Sequence, residues 1–170
     1  MKNVLKVTTP GDREIVMTRM FNAPRRLVWD AMTKPDLIRK WLFLPPGWEM
    51  SMCEEDVRVG GKYRWAWKDG SQSGQEAMAM HGTYRIVEPP REGGAGGKMV
   101  RTETFEFGCA PQAGEQLATI EMIEAGDATM MKITVVYPSK EARDGAIKSG
   151  MEKGVSTGYD NLERMLEGNS

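Results

Sequence analysis

The spacing of hydrophobic and polar positions changes period several times along this chain, and each change predicts a different element. Residues 1–13 read as a loose lead-in. Glu14–Phe21 then alternates, with Ile15, Met17, Arg19 and Phe21 on one side, which predicts a first strand. Asn22-Ala-Pro24 opens a helix, since asparagine can cap it and proline suits the first turn. Leu27, Val28, Ala31 and Met32 give that helix an apolar face. Thr33-Lys-Pro35 starts a second short helix with Leu37, Ile38 and Trp41 inward, and Pro45-Pro46-Gly47 stops it. From Trp48 the period is two. Strands are predicted at Trp48–Glu55, Gly60–Lys68, Ala77–Val87, Met99–Phe107, Ala118–Glu124 and Thr129–Tyr137. A Ser/Gly/Gln loop follows Asp69-Gly70, Pro89–Gly97 reads as a flexible loop, and a Gly/Pro/Gln loop surrounds Cys109.

After Pro138 the period becomes helical. Ser139 is a favoured N-cap, and no later proline interrupts, so a helix of ~28 residues could run ~42 Å. Ile147, Met151, Val155, Leu162 and Met165 form one stripe. Glu152, Lys153, Ser156, Asp160, Glu163 and Arg164 form the opposite, water-facing side. Gly154 and Gly158 sit at the centre of the stripe and Gly150 at its edge. Each glycine costs a helix ~1 kcal/mol against alanine. Two explanations fit: close approach of another element, or a space left open beneath the helix.

Strand, two short helices, six strands and one long helix make an α+β chain. Short connections imply an antiparallel sheet, which must curl, and the terminal helix is the element able to cover its buried face. The expected architecture is therefore a sheet gripping a helix: one domain over residues 14–166, with 167–170 as a tail.

Composition narrows the function. At 170 residues the chain can bury a sizeable core, and its net charge of −1 with no long run of one sign argues against nucleic acid or an anionic membrane as a partner. Glu54, Glu55 and Asp56 form a short acidic run, read as a solvated strand end. The N-terminal segment has no apolar h-region, and no stretch is long and apolar enough to span a bilayer, so a cytoplasmic location is expected. Cys53 and Cys109 make no disulfide framework and no CxxC. Fourteen methionines are the one strong bias, and they suit a plastic core or pocket.

Motifs for chemistry are sparse. His81 is the only histidine and falls on the outward side of its strand, so no metal site and no cofactor are expected. GGAGG precedes a strand rather than a helix and is no dinucleotide fingerprint. Arg101 and Glu103 share a strand face and can pair. Outward they would be an ordinary surface pair; inward they would border a pocket and could do acid/base work. Phe105 lies on their side and Val100, Thr102 and Thr104 on the other, so alternation favours neither side clearly; the reading leans outward. Tyr63, Trp65 and Trp67 share a face, as do Met78, Met80 and Tyr84. Together they resemble the apolar, aromatic wall of a pocket more than a close-packed sheet.

Four stretches, taken in order, resemble one family. They are FNAPRRLVWDAMTKPDLIRKW, DVRVGGKYRW, HGTYRIVEPPR with TETF, and YPSKEARDGAIKSGMEKGVSTGYDNLERML. They are similar to the START-like (SRPBCC) domains related to the activator of the heat-shock-protein ATPase, the Aha-type family, near the CalC-like proteins. That resemblance implies a helix-grip, Bet v-like fold with an apolar cavity between the curved sheet and the C-terminal helix. Two departures stand out: a longer, glycine-rich REGGAGG loop, and Arg101 where an apolar residue is frequent. The implied function is binding or sequestration of a small hydrophobic or aromatic molecule without catalysis. The candidate ligand-binding residues are Trp41, Tyr63, Trp65, Trp67, Met78, Met80, Tyr84, Met151, Val155 and Tyr159. The alternatives are a co-chaperone-like module in a stress response, with a chaperone partner or as a homodimer, and a cyclase- or hydrolase-type enzyme using Arg101 and Glu103.

Overall fold

In the computed structural model, which describes residues 3–70, 76–106 and 114–168, eight strands form one antiparallel sheet. The strands are β1 (Lys6–Thr8), β2 (Glu14–Phe21), β3 (Trp48–Glu55), β4 (Lys62–Asp69), β5 (Glu76–Glu88), β6 (Lys98–Glu106), β7 (Gln116–Ala125) and β8 (Ala128–Val136). The helices are α1 (Arg25–Thr33), α2 (Pro35–Trp41), α3 (Lys140–Lys148) and α4 (Met151–Gly168). Cys109, Phe107 and most of the two loops predicted around Ser71 and Cys109 lie outside the described residues.

The sheet order is β1-β2-β8-β7-β6-β5-β4-β3. Strands from β3 to β8 pair with their sequence neighbours, as short connections dictate. β2 closes against β8, so α1 and α2 must carry the chain from one side of the sheet to β3 at its far edge. Register shifts at Met50/Met52, Trp67/Lys68 and Tyr84/Ile86 occur in the β3–β6 half, where bulges of this kind bend a sheet. The concave side holds the core, and α4 lies in it: a helix-grip α+β fold.

Several expectations are corrected. The lead-in is not wholly loose: β1 pairs with β2 from Lys6↔Thr18 to Thr8↔Val16, and Leu5 is buried. Asn22 is not the cap of α1. Pro24 occupies that position, and its carbonyl accepts from the N–H groups of Leu27 and Val28. The Pro89–Gly97 loop is not structureless. Arg25, buried at the start of α1, donates to the carbonyls of Arg91, Ala95 and Gly96 and stitches that loop down.

The largest correction concerns the terminal helix, which is two helices. Ser139 caps α3 as expected, its Oγ accepting from Ala142 N–H. The helix then ends at Gly150, whose φ of +80° is a left-handed conformation that glycine adopts without penalty. In α4 the stripe holds in part: Leu162 is buried, Met151, Val155 and Met165 are half-buried, and Tyr159 and Leu166, outside the predicted stripe, are buried beside it, a buried leucine being worth ~1.5–3 kcal/mol of apolar transfer. It fails for Ile147, which belongs to α3 and is exposed. The opposite face is not simply solvated either. Arg19, buried on the concave side of β2, donates to Asp160 at 2.8 Å and Glu163 at 2.7 Å, clamping α4 to the sheet.

Two glycines are predicted to differ sharply. A Cβ on Gly82 would stand 1.8 Å from the Thr102 carbonyl oxygen, where the Tyr63 ring also closes over the strand. Gly82→Ala should cost several kcal/mol or prevent folding, at the upper end of single-substitution effects. Gly150→Ala meets no atom within 4 Å and pays only for its φ, so urea unfolding should show a loss of about 1 kcal/mol.

Candidate functional site

Between α4 and the concave sheet face lies a cavity of about 500 Å³, within the roughly 300–1,000 Å³ of small-molecule sites. Strand alternation supplies one wall: Trp65 and Trp67 from β4, Met78 and Met80 from β5, Phe105 from β6, Ile120 from β7, Ile133 and Val135 from β8. The other wall is Met151, Gly154, Val155, Gly158 and Tyr159 of α4. Trp41 of α2 and the segment Leu42–Pro45 close one side. Phe43 and Pro45 are exposed while Met151, Val155 and Met78 are half-buried, which places the mouth between this segment and the start of α4.

The glycine stripe serves close packing and the cavity together. A Cβ on Gly158 would lie 3.4 Å from Phe43 N and 3.6 Å from the Trp41 ring; one on Gly154 would lie 3.7 Å from the Phe43 ring. Asn161 donates to the Trp41 carbonyl, and Trp41 Nε1 donates to the Ala31 carbonyl, so α4, α2 and α1 are tied at this approach. Bare backbone lets α2 come close, and the same two glycines leave the cavity wall without side chains.

Eight of the ten residues singled out from sequence line the cavity: Trp41, Trp65, Trp67, Met78, Met80, Met151, Val155 and Tyr159. Tyr63 and Tyr84 do not. They lie behind the lining, their rings 5.5 Å apart, with Tyr63 Oη donating to the Thr102 carbonyl and Tyr84 Oη to Glu55 Oε2. Met17 and Met32 also line it, so among the described residues five methionines do. Residues missed from sequence include Phe43, Trp48, Phe105 and Tyr137, whose signal was only their phase on a strand or their place beside Trp41.

The more consequential miss is polar. Arg101 and Glu103 do not face outward; both are buried and line the cavity. The register decides it: Arg101 pairs with Tyr84 and Ala118, and Phe105 with Met80, all concave-face positions. Alternation was mute because Val100 and Thr102 on the other side are also buried. Arg101 Nε and Nη2 donate to Glu103 Oε2 at 3.3 and 3.2 Å, and Gln116 Nε2 donates to Glu103 Oε1 at 2.9 Å. The guanidinium stands 4.7 Å from the Tyr63 ring centroid and 5.1 Å from that of Trp65. Burial opposes its charge, but Tyr63, Glu103, Tyr84 and Glu55 more than offset this and hold its pKa well above the ordinary value.

Glu55 corrects the reading of the acidic run as solvated. Glu54 and Asp56 are exposed, but Glu55 turns inward and accepts from Trp65 Nε1 at 2.9 Å and Tyr84 Oη at 2.6 Å. Burial raises its pKa above the usual carboxylate value, against the lowering effects of Arg101, Tyr84 and Trp65. Cys53, two residues earlier on the same face, is buried too, and that burial pushes its thiol up to about 11. His81 is half-exposed beside Glu106, at 3.4 Å. Among the described residues no cluster of three His, Cys, Asp or Glu side chains could hold a metal ion, and no helix is long and apolar enough to cross a membrane.

Among the described residues, Trp67 of the lining has a buried Nε1 donor without a hydrogen-bond partner, while the Arg101 guanidinium also engages the Tyr84 hydroxyl behind the lining. An unmet buried donor costs ~1–3 kcal/mol, a local cost that the fold carries at this indole.

A curved sheet gripping a helix over an apolar cavity defines a ligand-binding or activator-type domain of the START-like class. The profile of the family described as Activator of Hsp90 ATPase homolog 1-like protein matches residues 22–167, and the chain belongs to that family. A crystal structure of a Rhodobacter sphaeroides protein is similar at TM-score 0.84 and 25% identity, covering 97% of this chain and 99% of that one. A Chromobacterium violaceum protein gives TM-score 0.72 at 24% identity, covering 91% and 97%. An Arthrobacter aurescens protein gives 0.77 at 19%, covering 96% and 92%. These likenesses speak to the fold. A search of curated proteins finds no match.

The Glu55 environment predicts a pH signature. A carboxyl whose folded pKa is raised binds its proton more tightly folded than unfolded. Its contribution is complete below about 4.5 and is lost as pH rises through the folded value. Unfolding free energy measured against pH should fall across that window in the wild type relative to Glu55→Gln; parallel curves would contradict the assignment.

Proposed function

We propose that this protein binds a small hydrophobic, aromatic molecule in the cavity between sheet and α4, and holds it without chemical change, in the cytoplasm. The observation that carries the reading is the cavity itself: about 500 Å³, walled by tryptophan, phenylalanine, tyrosine and methionine. Flat aromatic walls favour flat aromatic ligands through offset and edge contacts. The five methionines can repack around ligands of differing outline.

The absence of catalysis in this reading rests on how the polar pair is used. Glu103 accepts from both Arg101 and Gln116, an arrangement that holds charge in place and offers no free base beside the apolar space. A docking role finds less support. Among the described residues the exposed large apolar side chains are Val4, Phe43, Val59, Leu117, Ile123 and Ile147, spread over the N-terminal segment, two loops, β7 and α3.

The test uses N-phenyl-1-naphthylamine, an uncharged dye that brightens in apolar surroundings. Wild-type protein should bind it saturably, one molecule per chain. Val155→Trp, which places an indole in the mouth, should weaken binding by at least ~10-fold while thermal unfolding stays near wild type. Wild-type protein that leaves the dye dark would overturn the proposal.

A further inference from the structure

Resting on that reading, we infer that the ligand is an aromatic molecule with an unbranched aliphatic arm of about five carbons, and that the arm runs between Met17 and Met151 into a second pocket at the β1 edge of the sheet. That pocket has a volume of about 170 Å³, room for roughly five groups the size of a water molecule or a methylene, at ~30 Å³ each. Val7, Ile15 and Ile147 wall it, and the exposed Thr9 and Glu152 mark the end that meets water. Among the described residues, Met17 and Met151 are the two side chains that line both this pocket and the main cavity.

The sheet carries the continuity on one side. Ile120 of β7, Ile133 of β8, Met17 of β2 and Val7 of β1 are register partners in one cross-strand row. Ile120 and Ile133 line the main cavity, Val7 lines the second pocket, and Met17 stands between them and lines both. At ~4.8 Å per strand the row spans ~14 Å, so on this wall the two spaces follow each other with one side chain between. The helices repeat the order. Val155, Met151 and Ile147 lie four residues apart; Val155 lines the main cavity, Met151 both spaces and Ile147 the second pocket. Ile147 is exposed and has no place against the main core, but it has one in this wall.

Both dividing side chains are methionines, unbranched and polarizable, which move aside by rotation about single bonds. Met151 is tethered only weakly: its Sδ accepts from Tyr137 Oη at 3.8 Å, and a Cβ on the preceding Gly150 would meet nothing within 4 Å. An extended chain passes between two such side chains, whereas a branched group has to displace both at once. With the root of the arm beside Met17, the aromatic body lies between Ile120 and Ile133 of the sheet and Tyr159 of α4.

Two probes that differ only in arm length, 2-methylnaphthalene and 2-hexylnaphthalene, are compared by displacement of N-phenyl-1-naphthylamine from the full chain. A buried methylene is worth up to ~4-fold in affinity, less the ordering of the chain, so the hexyl compound is expected to bind at least ~30-fold more tightly. Its branched isomer, 2-(3,3-dimethylbutyl)naphthalene, should bind at least ~10-fold less tightly than the hexyl compound. Because the main cavity also has room for a longer arm, two variants that fill the second pocket from outside decide where the arm lies. Ile147→Trp and Val7→Trp, each checked by thermal unfolding, should reduce the hexyl advantage at least ~10-fold while 2-methylnaphthalene and the dye bind as to wild type. No hexyl advantage in wild type, equal binding of the branched isomer, or an advantage that persists in the folded variants would overturn the inference and leave the cavity reading intact. Failure of the dye itself to bind would instead overturn the reading beneath it.

Discussion

The constraint around which the cavity is built is a guanidinium held inside an apolar sheet face. Arg101 can stay charged there only because its surroundings are arranged for it: Glu103 accepts two of its N–H bonds, and the Tyr63 and Trp65 rings face it. Those partners are held in turn. Gln116 fixes the second oxygen of Glu103, and Glu55 fixes the indole of Trp65 and the hydroxyl of Tyr84. Tyr63 reaches the Thr102 carbonyl only because Gly82 has no side chain beneath its ring. A buried ion pair of this kind is often no more stabilising than apolar residues of the same volume, whereas removing one partner costs ~3–5 kcal/mol. Its value is therefore sought in what it does: it sets one polar point in an otherwise apolar lining.

The opposite wall is positioned by a second guanidinium and by missing side chains. Arg19 grips Asp160 and Glu163 on the flank of α4, while Gly154 and Gly158 let Trp41 and Phe43 approach its other side. The break at Gly150 frees α4 from the direction of α3, so α4 can settle by these contacts and by its buried Leu162 and Leu166. A helix held at its flanks need not collapse onto the sheet, and the space between remains.

Much of this was legible from period and punctuation. β2 and β3 fall where alternation predicted, and the aromatic phase of Trp65 and Trp67 pointed into the cavity. What escaped was decided by tertiary contacts. Arg101 faces inward because pairing with Tyr84 and Ala118 sets its phase, a fact no single strand carries when Val100 and Thr102 are buried as well. Glu55 looked like part of a solvated run, although its phase with Cys53 was the clue to its inward turn. Tyr63 and Tyr84 share the aromatic face but are drawn behind the lining by hydrogen bonds to Thr102 and Glu55. The helix break at Gly150 was hidden because glycine inside a stripe and glycine at a C-terminus look alike until a φ is known.

Native mass spectrometry of the protein as purified from its cells tests the central claim most directly. The account predicts one small molecule per chain, released on unfolding as a hydrophobic, aromatic compound. A chain that carries nothing, and that also fails to take up N-phenyl-1-naphthylamine added in excess, would contradict it.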